Sequence, residues 1–151
     1  MTQTTNAKSM RNVKLEYITG STWNDISGVA NSLEVSGGDR ITGEAYTAES
    51  DRPIVLYGKL EPLDVEAKIV YSENSTEAWS VLEPLYVAGT GVKLRWAVGG
   101  NATGNYRYVT DTTNVVVGYP GGEVSDGAPI LVDLKCKTGA ISWAAITSIT
   151  V

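Results

Sequence analysis

Alternating apolar and polar residues are the commonest local pattern along the chain, and a period of two is typical of half-buried β-strands. In four segments the pattern is clearest, because apolar side chains on one face oppose charged side chains on the other. These four predicted strands are Val13–Thr19, Leu63–Tyr71, Val92–Val98 and Ile130–Lys137. Less regular runs predict further strands at Val29–Val35, Arg40–Thr47, Ile54–Leu56, Tyr106–Thr110, Val115–Tyr119 and Ile141–Val151.

One segment between the strands has helical spacing instead. Asn74 or Ser75 can cap its start, and Glu77, three residues after Asn74, resembles the second member of a capping box. Pro84 is expected to end or kink the helix, because proline lacks an amide donor and clashes with the preceding turn. One apolar face is expected to lie on a sheet, and it consists of Ala78, Trp79, Leu82 and Leu85 or Tyr86.

Glycine-rich turns such as Gly37-Gly38-Asp39 and Pro120-Gly121-Gly122 separate the predicted strands. Many short strands with regular turns and one short helix predict an all-β fold, a β-sandwich or a barrel. At 151 residues the chain fits one domain. We expect this domain over residues 12–151, with residues 1–11 as a flexible N-terminal arm.

The available residue types exclude most catalytic chemistry. The chain has no histidine and one cysteine, which removes His-dependent triads, the commonest general base and Cys-based zinc sites. We therefore expect no enzymatic activity, no cofactor and no metal. The N-terminal sequence MTQTTNAKSM is polar and unlike a signal peptide, and no apolar run approaches the roughly 18 residues of a membrane span.

The charge is unevenly distributed. The net charge is −5, and residues 61–91 carry six acidic side chains against Lys68 alone, while the remainder of the chain is balanced. The first 14 residues are the reverse, with Lys8, Arg11 and Lys14 and no acidic residue. An acidic protein of this kind lacks the basic footprint that tight nucleic-acid binding requires.

Three local patterns resemble binding sites, and each has a simpler interpretation. Ala88–Lys93 is faintly like a phosphate loop but lacks the full spacing, so a turn is favoured. Gly121–Gly127 contains two carboxylates but has no EF-hand spacing, so a polar turn is favoured over a calcium site. Asp64 and Glu66 share a strand face and could serve glycoside hydrolysis, but a solvated strand face is the simpler reading.

For the tryptophans and the cysteine, packing in the core is likewise weighed against a role in binding. Trp79 and Trp96 lie on predicted core faces, whereas Trp23 follows Gly20-Ser21-Thr22 and is expected to be the most exposed. An exposed tryptophan could stack on a sugar ring. Cys136 lies on an apolar strand face and is expected to be an inert core thiol.

The most characteristic stretch is GDRITGEAYTAESDRPIVLYGKLEPLDVEAKIVYSENSTEAWSVLEPLY, residues 38–86. A strand leads into a polar excursion, a Gly-Lys-x-Glu-Pro turn, a strand ending in Val-Tyr and a short capped helix with an aromatic residue. This order resembles the major tail tube proteins of long-tailed bacteriophages, and the similarity continues more loosely over residues 12–150. The pattern contains no reactive signature.

The resemblance implies a β-sandwich flanked by a helix. It further implies that six copies form a ring, that strands from each copy join into one continuous barrel, and that rings stack into a hollow tube. Such a tube conducts DNA from capsid to cell, so the double-stranded DNA passes through without specific binding. The implied setting is the tail of a virion made in the host bacterial cytoplasm, with the tape measure protein and other tail proteins as partners.

The same resemblance implies an extended loop, here about Gly43–Gly58, that reaches the neighbouring ring. The contact candidates in it are Glu44, Tyr46, Thr47, Glu49, Asp51 and Arg52. The charge distribution suggests that the basic arm (Lys8, Arg11 and Lys14) docks on the acidic 61–91 segment of the next copy, and such docking should weaken with salt.

An acidic lumen would deny DNA stable phosphate contacts. Asp64 and Glu66 are the first candidates to line it, because they project from one strand face, and Glu34 and Asp133 are secondary candidates. Two alternatives remain open at this point: a small β-sandwich binding module for carbohydrate or surface adhesion, and a carboxylate-dependent hydrolase.

Overall fold

The computed structural model of the protein describes residues 7–9, 13–27, 30–122 and 127–147. Within them it has eleven β-strands and one α-helix, which confirms the predicted all-β class with one short helix. The strands are β1 (Lys14–Ile18), β2 (Asn24–Asp25), β3 (Ala30–Gly37), β4 (Arg40–Ala45), β5 (Ile54–Leu60), β6 (Leu63–Val70), β7 (Gly91–Ala97), β8 (Tyr106–Thr110), β9 (Thr113–Val117), β10 (Leu131–Thr138) and β11 (Ile141–Ala145), and the helix is α1 (Ala78–Ala88). No helix of the described part is long and apolar enough to cross a membrane.

The four clearest alternating segments are confirmed as β1, β6, β7 and β10, each to within one residue at either end. The less regular runs differ more from the observed strands. The run that began at Ile54 continues to Leu60, and the last strand ends at Ala145, with residues 148–151 outside the described part. β2 was not predicted, because two residues show no alternation.

The strands form two sheets that meet at one seam. Sheet I has the order β11-β8-β7-β1-β2, and sheet II has the order β9-β10-β6-β3, with antiparallel pairing throughout. A short β7–β9 pairing, Gly91 with Asn114 and Val92 with Thr113, joins them. Sheets I and II are therefore two halves of one continuous nine-stranded sheet, which folds over itself into two layers.

A single hydrophobic core lies between the inner faces of the two sheets. Sheet I contributes Leu15, Tyr17, Leu94 and Trp96, and sheet II contributes Val65, Ala67, Ile69, Val132, Leu134 and Cys136. The alternating burial of β6 and β10 places their charged residues on the opposite, outer face. This arrangement confirms a sandwich-like fold, and the sheets do not close into a barrel within the described chain.

Helix α1 covers one side of this core. Ala78 and Leu82 are buried, and Trp79, Leu85 and Tyr86 pack against the cluster, so the predicted apolar face is confirmed. These contacts tie α1 chiefly to β9 and more weakly to β6.

The cap predicted at Asn74 or Ser75 and the helix end predicted at Pro84 are wrong, while a kink at Pro84 stays a prediction. Glu77 occupies the N-cap position and makes no side-chain cap bond, while the Asn74 carboxamide accepts a hydrogen bond from the Thr76 amide at 3.2 Å, an Asx turn ahead of the helix. Pro84 lies inside the helix, which ends at Gly89 with φ 69°. Pro84 is exposed, so the backbone carbonyl that loses its amide partner can be solvated by water.

Candidate assembly surface

A two-stranded hairpin, β4 with β5, continues the β3–β6 ladder beyond the core. Gly37 pairs with Leu63 at the end of one ladder, and Arg40 pairs with Leu60 at the start of the next. Two backbone hydrogen bonds bridge the joint, from the Glu61 amide to the Asp39 carbonyl at 2.7 Å and from Gly38 to Pro62 at 3.1 Å. The hairpin is therefore a projection of sheet II that packs on nothing else in the described chain, since every residue of β4 and β5 is exposed.

Glycine is required at this joint by the backbone. Gly37 and Gly38 have φ of 80° and 78°, a region that side chains with a Cβ rarely adopt. A Cβ on Gly37 would also lie 2.7 Å from the Pro62 carbonyl oxygen. The predicted Gly37-Gly38-Asp39 turn thus connects two successive ladders rather than the two strands of one hairpin.

One face of the hairpin is entirely apolar. The register pairs Gly43 with Leu56 and Ala45 with Ile54, and Ile41 lies on the same side. Leu56 is 70% exposed, although burying such a side chain would gain about 1.5–3 kcal/mol. An isolated two-stranded hairpin is only marginally stable in water, and contiguous exposed apolar residues mark interaction sites. This face has the character of a surface that is covered by a partner.

The opposite face of the hairpin is mixed. Thr42 pairs with Tyr57 and Glu44 pairs with Val55, so a carboxylate lies among an aromatic and an aliphatic side chain. Tyr57 is as exposed as Leu56. The two faces differ in chemistry, and a partner can therefore distinguish one from the other.

The predicted contact residues gather at the far end of this hairpin. Glu44 belongs to β4, and the others lie in the connection 46–53, where the Arg52 amide donates to Ser50 Oγ at 3.1 Å. The predicted loop of about Gly43–Gly58 is wrong in extent, because both of its ends are strand. The structure brings together Glu44, Tyr46, Thr47, Glu49, Asp51 and Arg52, all exposed.

Sequence reasoning selected the polar residues of this segment and missed its apolar ones. Ile41, Ile54, Leu56 and Tyr57 are β-branched, aliphatic or aromatic residues within a polar stretch, and that contrast was the available signal. All four of these side chains are more than half exposed.

The four acidic lumen candidates share one surface, the outer face of sheet II. Glu34 on β3 is opposite Glu66 on β6, and Asp64 and Asp133 lie in the neighbouring cross-strand positions of the same face. The expectation that Asp64 and Glu66 project together is met by this register. Whether the face lines a lumen stays a prediction.

Three lysines are interleaved with these carboxylates. Lys137 Nζ lies 2.8 Å from Asp64, and Lys135 and Lys68 lie 3.8 Å from Glu66 and Asp133 respectively. The face thus carries four acidic and three basic side chains, and the two lysines of β10 offset the two carboxylates of β6, Asp64 and Glu66. The sequence pattern concealed this balance, since it appears only when β6 and β10 are placed in register.

The basic arm is only partly described. Lys8 Nζ donates to Asn105 Oδ1 at 3.2 Å, and Arg11 lies outside the described residues. Lys14 belongs to β1 and forms an ion pair with Asp25 of the same chain. Burial works to raise the pKa of Asp25, but hydrogen bonds from Lys14 and Ser27 outweigh it and hold the pKa below its ordinary value.

A buried charged network lies on the outer face of sheet I. Glu16 is 6% exposed, and its carboxylate accepts hydrogen bonds from Arg95 Nε at 2.8 Å, from Arg95 Nη2, and from Asn101 Nδ2 at 2.8 Å. The Arg95 guanidinium also lies over the Trp23 ring, 4.1 Å from its centroid. Alternation placed Glu16 on the face opposite the core, and it did not anticipate that Arg95 and Asn101 bind the carboxylate or that Trp23 stacks on Arg95.

The predictions for Trp79 and Trp96 are confirmed, and the one for Trp23 is wrong. Trp96 is buried and stacks on Tyr108, and Trp79 Nε1 donates to the Gly118 carbonyl at 3.0 Å, so core packing is confirmed for both. Trp23 is half-buried against Arg95, and the expectation that it is the most exposed tryptophan is wrong. Trp143 is exposed instead.

Among the described residues of the remaining candidate sites there is no reactive arrangement. Cys136 is buried as predicted, and burial, with a smaller contribution from the Asp64 charge, raises its pKa to about 11. Ala88–Lys93 is the end of α1, a turn and the start of β7, and part of Gly121–Gly127 lies outside the described residues. The described part of the chain contains no cluster of three or more metal-ligating side chains.

Comparison with known proteins shows which solved structures share this fold. No protein-family model and no curated protein matches the sequence. A chain of the PVC sheath–tube complex, from an extracellular contractile injection system, superposes with a TM-score of 0.70 at 8% identity and covers 93% of both chains. The chain has the fold of phage-like tail tube proteins.

Two further solved structures support this assignment of the fold. A chain of the anti-feeding prophage baseplate gives a TM-score of 0.69 at 6% identity over 97% of this chain and 99% of that one. A chain from the tail of an empty gene transfer agent particle gives 0.62 at 12% identity over 92% and 100%. Since contractile systems are among these structures, the likeness is not particular to long-tailed siphophages.

Proposed function

We propose that the chain is a tail tube subunit, a structural protein that assembles with copies of itself in the tail of a virion or phage-like particle and has no enzymatic activity. The observation that carries the proposal is the exposed apolar face of the β4–β5 hairpin on a fold shared with tail tube chains over nearly its whole length. Such a face stabilises an assembly when a second copy covers it.

The hairpin is the proposed contact between copies. Its apolar face, Ile41, Ile54 and Leu56, supplies the burial, while the polar tip with Glu44, Tyr46, Thr47, Glu49, Asp51 and Arg52 reaches the next ring. Heterologous contacts of this kind close into rings or propagate as filaments. Six copies per ring and stacked rings are the arrangement that the sequence resemblance implies.

Ring formation would use two of the sheet edges, β3 and β11. The Ile146 amide donates to the Asn105 carbonyl at 2.8 Å and the Asp111 amide to the Ala140 carbonyl at 3.3 Å. Because antiparallel pairing alternates between partners, the amides and carbonyls of Ile141, Trp143 and Ala145 face away from β8. Pairing these edges between copies would join the sheets into one barrel and remove the edges.

The outer face of sheet II is the proposed lumen lining, with Asp64, Glu66, Glu34 and Asp133 as its carboxylates. Sixfold repetition would turn the interleaved charges into alternating rings of both signs and a small net charge. A wall of that kind offers DNA in transit no basic track on which to bind. The tape measure protein and other tail proteins are the further partners that the resemblance implies.

A matched pair of lysine substitutions tests the hairpin. Leu56→Lys and Val87→Lys each place a charge at an equally exposed apolar position, since Val87 on α1 is 69% exposed and Leu56 is 70% exposed. Electron microscopy and sedimentation should show tubes or rings for the wild type and Val87→Lys, and dispersed subunits for Leu56→Lys. Tubes of normal appearance from Leu56→Lys would contradict the proposal.

A proline substitution tests the free edge. Ala145→Pro removes an amide that faces away from β8, so the subunit should fold but should not close rings, because proline is tolerated on an edge and cannot donate there. Ala145→Val is the control and should assemble normally. If Ala145→Pro forms closed rings, β11 is not the joining edge.

A binding module is the second candidate, and one aromatic pair favours it. Tyr106 and Trp143 are both exposed, with ring centroids 5.1 Å apart and planes at 90°. Beside them a cavity of about 630 Å³ is lined by Lys8, Asn105 and Tyr108, among others. Monomers that bind glycans through Trp143 and never form tubes would favour this function over the tube.

A further inference from the structure

Arg107 on β8 is a cation without a carboxylate partner in the described chain. Its Nη2 lies 3.4 Å from Asn101 Oδ1, and its Nε is buried with no hydrogen-bond partner among the described residues. The nearby Glu16 carboxylate is already occupied by Arg95 and Asn101. A buried donor left without an acceptor costs about 1–3 kcal/mol of folding free energy. The unpaired Nε of Arg107 therefore destabilises the isolated subunit.

The charges around Arg107 leave a surplus of one positive charge. Arg95 and Arg107 are both cationic, and Glu16 is the one carboxylate that the described network supplies. Burial and the neighbouring Arg95 lower the pKa of Arg107, and Glu16 opposes that effect only in part. The site is therefore electrostatically suited to one further anion.

A cavity adjoins this arginine. It has a volume of about 280 Å³, and Arg107 shares its lining with Val109, Ser142, Ala144 and Ile146, among others. That volume is several times the share of one water molecule, about 30 Å³, so a side chain fits. The lining combines the Arg107 cation and the hydroxyls of Ser142 and Thr147 with apolar side chains, so it can accept a carboxylate together with the hydrocarbon stem that carries it.

We propose that this cavity receives a carboxylate, Glu49 or Asp51, from the hairpin tip of a second copy. The proposal rests on the self-assembly proposed above and adds the recess into which the tip docks. Both residues are exposed and neither forms an ion pair within the described chain. They project from the body on the hairpin, whereas Asp64, Glu66 and Asp133 lie on a flat sheet face with lysine partners.

The first test separates an assembly role of Arg107 from a structural one. Arg107→Met should raise the critical concentration for assembly at least about tenfold, as expected for loss of a desolvated charge pair. The unfolding midpoint of the dispersed subunit should stay the same or rise, because the unpartnered donor is gone. A structural arginine would instead lower that midpoint. Lys93→Met, exposed on sheet I, is the control and should change neither quantity.

The second test identifies the partner residue by charge exchange. Arg107→Glu, Glu49→Arg and Asp51→Arg should each weaken assembly, and combining Arg107→Glu with one of the two tip reversals should restore it. Normal assembly of Arg107→Met, or failure of both combinations to restore assembly, would overturn the proposed docking. Leu56→Lys, measured in parallel, separates the hairpin contact from the docking of its tip at Arg107. If Leu56→Lys blocks assembly while Arg107→Met does not, only the docking is wrong. If Leu56→Lys also assembles normally, the hairpin is not the contact between copies and the docking fails with it. If the wild type forms neither tubes nor rings, the proposed function itself fails.

Discussion

The buried ion pair between Glu16 and Arg95 gives the sharpest prediction about stability. Their side chains are only 8% and 15% exposed, and three hydrogen bonds to the carboxylate fix the geometry. We consider three variants: Arg95→Met, Glu16→Leu and the double variant. Each replacement approximates the volume of the original side chain and removes its charge, so the three variants and the wild type form a double-mutant cycle.

Arg95→Met leaves the Glu16 carboxylate buried with Asn101 as its remaining neutral donor. Removing one partner of a buried pair costs about 3–5 kcal/mol, and loss of the cation–π contact with Trp23 adds about 0.5–2 kcal/mol. Arg107 offsets part of this loss if it turns toward Glu16. Total stabilities of about 5–15 kcal/mol leave this variant weakly folded, with a melting temperature lowered by roughly 10–15 °C.

The double variant should be much less affected than the single ones. Replacing a buried ion pair by apolar residues of similar volume is often neutral or stabilising, so Glu16→Leu with Arg95→Met should lose less than either alone. The expected coupling free energy is about 3 kcal/mol. Urea unfolding followed by tryptophan fluorescence measures it, at protein concentrations where the subunit is dispersed, because assembly stabilises the fold by mass action.

Additivity would refute this reasoning. If the double variant loses the sum of the two single losses to within about 0.5 kcal/mol, Glu16 and Arg95 do not act as a coupled buried pair. A loss below about 1 kcal/mol for Arg95→Met would equally contradict it, since that is the size typical of an exposed ion pair.

Three further predictions concern the core, the thiol and the acid range. Leu82→Ala on α1 should cost about 2–5 kcal/mol by chemical unfolding because Leu82 is fully buried, whereas Val87→Ala should cost under about 0.5 kcal/mol. The native Cys136 thiol, with its pKa raised to about 11, should react with a thiol reagent at pH 8 more than about a hundredfold slower than free cysteine, and unfolding should abolish the difference. The lowered pKa of Asp25 implies a stabilisation that is present above the unfolded value of about 3.9 and is lost as pH falls through the lower folded value. The wild type should therefore lose more stability than Asp25→Asn between about pH 5 and pH 2, and equal losses would contradict the assignment.

Much of the sandwich could be predicted from the sequence, because the core faces of β1, β6, β7 and β10 are encoded locally in alternation. The all-β class and the helix face followed from the same periodicities. The features that could not be predicted depend on contacts between residues that are far apart in the sequence. The burial of Glu16 could not be predicted, because its partners Arg95 and Asn101 are distant along the chain.

The β4–β5 segment was expected to be a polar loop of about Gly43–Gly58, whereas both of its ends are strands. Its polar residues were named as the contacts with the next ring, and that assignment stays a prediction. Strand register is needed to see that Leu56, Ile54 and Ile41 share one exposed face. Arg107 was not singled out, because an arginine in an alternating strand gives no sign that its neighbours lack a carboxylate for it.

The charge ladder between β6 and β10 has a consequence for how the chain folds. An alternating apolar face cannot by itself distinguish the native alignment from one shifted by two residues, because both keep the same side chains in the core. Here Asp64, Glu66 and Lys68 meet Lys137, Lys135 and Asp133 in that order. A two-residue shift one way sets Lys68 against Lys135, and a shift the other way sets Glu66 against Asp133. Either misalignment opposes like charges, which is destabilising, so the ladder helps to select one alignment and thereby fixes where the attached hairpin points.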